Sequence, residues 1–219
     1  MPSAEAKPSR PTWSPHFPSG NSGSVKTSPL LMRKIFEMPP EQLPDAAGTK
    51  VNPFTGADVA AILLERGWLA GETSAEQLAW CEHAAAILGP QAADRTALCG
   101  LLSLVFQYDA RVILAQVDSH VVLSRYAARD VLRQLALLLL DDAALTSERF
   151  KEIITTLKER LDLRGRELFH PLRLALAGRD GDGELDRVIL LLDEAAALSF
   201  AYPVKSARAR ILEFCAALD

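Results

Sequence analysis

From Thr55 onward, apolar residues return at steps of three and four, the spacing that lines them up along one stripe of an α-helix. Turn-forming residues cut these stripes at Gly71, Gly89-Pro90, Asp141-Asp142, Gly165, Gly178 and Gly181 to Gly183. The pattern predicts helices near 56–67, 74–88, 91–106, 109–140 with a break near Asp118 to His120, 147–161, 171–177, 184–199 and 204–217. Thr73 or Ser74 and Ser147 stand where N-caps belong, and Phe150 and Ile153 open the apolar face behind Ser147. No segment alternates with period two. The expected fold class is therefore all-α, a helical bundle or cage of seven or eight helices.

The first fifty residues break this pattern. Nine prolines are scattered through them between Pro2 and Pro44, among serines and glycines. Prolines remove backbone donors, and so little apolar area cannot offset the entropy of ordering, so residues 1–50 are expected to form a disordered arm ahead of a helical domain at 51–219. Leu30 to Met38 could make one short helix. The arm has no continuous apolar core, which excludes a secretory signal. Its basic and hydroxyl residues share the composition of an organelle transit peptide, the alternative to the cytoplasmic placement expected here.

At 219 residues and 49% hydrophobic, the chain has ample material for a buried core. Its formal net charge of −4 argues against indiscriminate coating of nucleic acid, which needs a strong positive field. Of the 24 Lys and Arg side chains, 12 lie in residues 149–219, beside 12 Asp and Glu, so any RNA contact must come from a local patch. No apolar run is long enough to cross a bilayer, and no membrane association is expected.

Candidate chemistry is sparse. Cys81, Cys99 and Cys215 are odd in number, widely spaced and set in apolar helical stretches, which favours buried reduced thiols over a disulfide or a metal site. Cys81 and His83 lack further ligands at usable spacing, so neither zinc nor any other cofactor is expected. His16, His83, His120 and His170 form no catalytic arrangement with a local nucleophile. Trp68, Trp80 and Tyr126 lie on apolar faces and are expected in the core. The run Gly20 to Thr27 has the outer frame of a P-loop, but Val25 replaces the glycine needed before Lys26 and no strand precedes it, so it is not read as a nucleotide site.

The most informative stretch is RGRELFHPLRLALAGRDGDGELDRVILLLD, Arg164 to Asp193. Pro171 suits a first helical position and Gly178 the left-handed position after a helix end. Asp182 can cap the next helix, whose buried stripe would be Leu185, Val188, Ile189, Leu191 and Leu192. This run of Gly165, Leu168, Phe169, Pro171, Leu172, Arg173, Leu176 and Gly178 resembles the C-terminal anticodon-binding cage of bacterial glutamyl-tRNA synthetases, which are class I enzymes. The resemblance is specific from Arg149 to Asp193 and fades to general helical texture between about Ser74 and Glu148.

The resemblance implies a tRNA partner, tRNA-Glu first, whose unstacked anticodon bases are read by side chains of the cage. It assigns Arg173 to a base contact and Leu185, at the start of the next helix, to another. Arg164, Arg166 and Arg179 are placed to touch phosphates. The alternative for Arg173 is pairing with a nearby carboxylate, and for Leu185 a place in the core. Asp182 stands where the family often has a small hydroxyl residue. The catalytic domain is missing, since neither the family's His-x-Gly-His turn nor its Lys-Met-Ser-Lys-Ser loop occurs. The implied function is thus a tRNA-binding module, not an enzyme on its own, that could assist a separate catalytic subunit. The alternative is a helical interaction scaffold that has lost RNA binding; clustering of the arginines on one face would count against it, and dispersion among carboxylates would support it.

Overall fold

The computed structural model describes residues 52–141 and 143–218. The proline-rich arm, its Leu30 to Met38 segment and the Gly20 to Thr27 run lie outside the described residues. Those described are helical, with no strand among them. In chain order the helices are α1 (Gly56–Glu65), α2 (Ala75–Leu88), α3 (Arg95–Phe106), α4 (Ala110–Leu114), α5 (Val117–Leu123), α6 (Ala128–Leu138), α7 (Ser147–Leu161), α8 (Arg166–Ala177), α9 (Glu184–Leu190), α10 (Leu192–Ala196) and α11 (Ala207–Leu218). A 3-10 turn, Gly89–Gln91, follows α2.

Local chemistry explains where most helices begin. Thr55 and Ser74 each close a reciprocal capping box, with Asp58 and Gln77, and so satisfy donors that the first turns of α1 and α2 leave open. Asp94, Asp109 and Thr146 accept from first-turn amides of α3, α4 and α7. The cap of α7 is therefore Thr146, one residue before the expected Ser147. Gly178 ends α8 at φ 85°, a left-handed conformation that a side chain would strain.

Several expectations need correction. The stretch 109–140, expected to break near Asp118 to His120, is three short helices, α4 to α6, turned at Ala115-Gln116 and Ser124 to Ala127, with Asp118 to His120 inside α5. One of these turns is fastened when the buried Ser119 hydroxyl donates to the Ile113 carbonyl at 2.6 Å, a link that apolar periodicity does not encode. Likewise the stretch 184–199 divides into α9 and α10 at Leu191. Tyr126 is fully exposed in the turn before α6, away from the core. Trp68 and Trp80 do pack inside: Trp68 stacks on Phe106 at 4.9 Å, and Trp80 meets Phe106 and Phe200 edge-on.

The axis of the core is α8. Eight of its twelve residues are buried, so it is apolar nearly all round, the signature of a helix surrounded by others. It packs against α5, α6, α9 and α11, while α1 lies on α2 and α3 on α9. Contrary to expectation, α8 starts at Arg166, and Pro171 sits inside it. Gly165 provides the turn at φ 57°, and its carbonyl accepts from Leu168 and Phe169, so winding begins five residues before the proline. Pro171 cannot donate to the Glu167 carbonyl, but it and Leu172 are buried in the surrounding shell, and that packing holds the helix through the gap.

Candidate nucleic-acid interface

Around α8 the expected site residues separate into three environments. Arg173 lies midway along it with a side chain only 11% exposed. Its Nε and one Nη donate to both carboxylate oxygens of Asp186 at 2.7 and 2.8 Å, and its other Nη donates to the Gly181 carbonyl at 2.6 Å. The planar fork of arginine matches a carboxylate in this two-pronged way. Arg173 thus ties α8 to α9 and to the loop between them, while its guanidinium stands 4.8 Å from the Phe169 ring centre. Leu185 is completely buried within the same junction.

Arg164 and Arg166 are exposed where α7 hands over to α8. Arg164 lines an open cleft of about 520 Å³ together with Lys158, Glu159, Asp162 and Phe169. The Lys158 ammonium is 5.7 Å from the centre of the half-buried Phe169 ring. Asp162 holds a left-handed backbone, φ 50°, that ends α7 and turns the chain into the cleft wall. Arg179 is exposed beyond the opposite end of α8, a helix about 18 Å long at 1.5 Å per residue. It approaches Glu184 at 4.0 Å. Arg164 and Arg166 are thus brought together, and Arg173 and Arg179 are each placed against a carboxylate.

One neighbouring expectation changes. The side chain of Asp182 does not cap α9; Gly183 occupies that position with no side-chain cap, and the Asp182 backbone carbonyl accepts from Leu185. His170, inside α8, is mostly covered, with Nδ1 3.2 Å from Asp180 but unbonded.

The sequence reading missed Arg210. It is completely buried and donates to the carbonyls of Leu104, Val105, Leu176 and Lys205. Leu104, Val105 and Leu176 lie in the last turns of α3 and α8, where carbonyls lack intrahelical partners and carry the negative end of the helix dipole. Burial lowers the Arg210 pKa to about 10, which leaves it charged at neutral pH. Tyr108 faces the guanidinium at 4.5 Å and donates its hydroxyl proton to the Ala175 carbonyl. The available signal was an arginine placed among Ala207, Ile211 and Phe214 on the apolar stripe of α11. Phe169, Lys158 and Asp186 were missed as site residues too, because each reads as an ordinary member of its helix.

Among the described residues no group of His, Cys, Asp and Glu is placed to hold a metal ion, and no helix is long and apolar enough to cross a membrane. Cys81 and Cys99 are buried and Cys215 is half-buried, and no disulfide joins any of the three. Together these features define an all-helical module built around a largely buried central helix, α8.

The chain belongs to the anticodon binding domain family, which it matches over residues 51–199. Over 41 residues, 19% of this chain, it is 44% identical to glutamate–tRNA ligase 2 of Coxiella burnetii strain RSA 331 / Henzerling II, and equally to glutamate–tRNA ligase 1 of strain CbuG_Q212. The matched stretch spans 9% of the length of those relatives. No solved structure matches the chain.

Proposed function

We propose that this protein is a tRNA-binding module that takes the anticodon loop, with glutamate tRNA as its first candidate. The observation that carries this reading is the family match across residues 51–199, which covers nearly all of the helical domain. The relatives named glutamate–tRNA ligases support the choice of tRNA. Arg164, exposed in the cleft with Lys158 and Phe169, and Arg166, exposed at the start of α8, are the proposed contacts to the RNA backbone, and Arg179 is a further one from the far end of α8. Arg173 and Leu185 then contribute by setting the junction of α8 and α9, and Arg173 reaches a base only with the outer edge of its fork. Binding here needs no chemistry from the chain. Aminoacylation would be supplied by a separate catalytic subunit, and a cytoplasmic location goes with that work.

A titration of labelled glutamate tRNA against the full chain and an Arg164→Ala/Arg166→Ala variant, at two salt concentrations, tests the reading. Loss of two phosphate contacts should lower the slope of log affinity against log salt by about 2 and weaken binding to all tRNAs alike. Failure of folded wild type to bind any tRNA at low salt would overturn it.

One observation favours a second reading, an interaction scaffold without RNA binding. Arg173 is engaged by Asp186 and Arg179 is near Glu184, so these two cations are dispersed among carboxylates. The same titration separates the readings, because a scaffold has no salt-dependent affinity for tRNA.

A further inference from the structure

Helices α3 and α8 both end around the guanidinium of Arg210, and an open cavity of about 660 Å³ borders those two ends. The last four carbonyls of a helix have no intrahelical donor and need partners from elsewhere. In α3, Ser103 accepts from the Gln107 amide, and Leu104 and Val105 accept from Arg210. In α8, Leu174 accepts from the Gly178 amide, Ala175 from the Tyr108 hydroxyl and Leu176 from Arg210. That leaves Phe106 and Ala177, the final residue of each helix, whose carbonyls have no donor among the described residues. Both residues line the cavity.

A third acceptor stands at the rim. One oxygen of Asp109 accepts from the amides of Arg111 and Val112, and its other oxygen has no partner among the described residues. The charges around the cavity leave that carboxylate over. Each helix end carries about −0.5 of a unit charge, and Arg210 balances the two. Lys205, also on the wall, is matched by Glu213 at 2.6 Å. Arg111 lines a separate groove on the other side of Asp109 and makes no ion pair with it. Apolar surface completes the lining: Val112 is 60% exposed and the Tyr202 ring 50% exposed, where neither gains anything from packing.

We propose that this cavity binds a small organic monocation, an alkyl guanidinium with an apolar body, independently of any RNA. Three acceptors around one space suit a planar group that offers several N–H donors. Arg210 shows the same recognition in the adjoining interior, where carbonyls of α3 and α8 hold a guanidinium. The ligand's charge answers Asp109, Tyr202 offers it an aromatic face, and Val112 covers its alkyl chain. Anions are excluded because the carboxylate and both helix ends repel them. The cavity volume lies within the usual range for small-molecule sites, about 300–1,000 Å³.

The test titrates the full chain, labelled with nitrogen-15, with n-butylguanidinium and with n-butylurea, a neutral look-alike, and follows backbone amides by NMR. The guanidinium should shift Gln107, Val112 and Gly178 saturably, and the urea should bind at least about tenfold more weakly. Asp109→Asn keeps the cap of α4, because asparagine accepts the same amide bonds, and should weaken guanidinium binding by about tenfold or more. Tyr202→Ala should weaken it by about two- to fivefold. Circular dichroism checks folding. If Asp109→Asn does not fold, Val112→Lys, which sets a cation on an exposed position of the lining, replaces it with the same loss expected.

The absence of saturable shifts with n-butylguanidinium, or shifts confined to amides away from the cavity, would overturn the site. Equal affinity for n-butylurea, or unchanged binding by folded Asp109→Asn, would overturn its assignment to a cation. Neither result touches the tRNA reading, which has its own titration.

Discussion

Replacing Asp186 with alanine should destabilise the domain more than replacing its partner Arg173 with methionine. Both oxygens of Asp186 engage a guanidinium that is only 11% exposed, and a carbonyl satisfies a third donor. Removing one member of a fully buried pair costs about 3–5 kcal/mol, because the remaining charge is left without a partner or water. Asp186 itself is 23% exposed, so water can enter its vacated place and recover part of the loss, leaving an expected cost of about 2–3 kcal/mol. In a domain of this size that corresponds to a fall in Tm of about 5–10 °C. Arg173→Met leaves the more exposed partner charged and fills much of the volume, and should cost about 1–2 kcal/mol. A double variant, Arg173→Met with Asp186→Leu, should recover to within about 1 kcal/mol of wild type, since an apolar pair can replace a buried ion pair. Urea unfolding followed by circular dichroism measures all three, and an unchanged m-value confirms that the same surface unfolds. If Asp186→Ala lies within about 0.5 kcal/mol of wild type, the usual range for an inconsequential surface change, the pair does not hold α8 to α9. In that event Arg173 is free to reach RNA, and the same variant should bind tRNA more tightly than wild type.

Arg210→Met should cost at least about 3 kcal/mol and Arg210→Lys should recover little of it, because one ammonium cannot span four carbonyls on three segments; thermal melting reads both. Gly178→Ala should cost about 1–2 kcal/mol, through its positive φ and a methyl group placed 3.3 Å from Ile113, as measured by the same melts. Burial pushes the Cys81 thiol up to about 11 from 9.0, so iodoacetamide at pH 8 should leave it unmodified until the protein unfolds. The folded state holds that proton more tightly than the unfolded chain. Its contribution to stability is therefore intact below about pH 9 and lost as pH rises towards about 11, and a Cys81→Ala variant titrated beside wild type should lack this component.

Periodicity made the all-helical class legible, and side-chain chemistry made some boundaries legible too. Ser74 and Gly178 act within one turn of their own position, so local sequence is sufficient to place them. The break-up of 109–140 was not legible in detail, because no proline or glycine marks it and the Ser119 hydroxyl finds its carbonyl only once the turn exists. Pro171 misled for a related reason. Its local preference favours a helix start, but burial on all sides of α8 outweighs one missing hydrogen bond. At the candidate interface, Arg164 and Arg166 could be placed from order along the chain. The pairing of Arg173 with Asp186 could not be, since many acids lie nearby and only the packing of α9 on α8 selects one. Arg210 was the hardest to see, as its partners are carbonyls, which carry no sequence signature.

The family match ends at residue 199, yet the Arg210 side chain that secures the ends of α3 and α8 comes from the helix beyond it. The unit of evolutionary description and the unit of folding therefore differ at this edge. A fragment trimmed to the matched residues would leave the Leu104, Val105 and Leu176 carbonyls without their donor and uncover the core surfaces that Ile211 and Phe214 seal. During synthesis the same arithmetic applies in time. Arg210 leaves the ribosome after α3 and α8, so the carbonyls at the ends of those helices wait for α11 before they are paired.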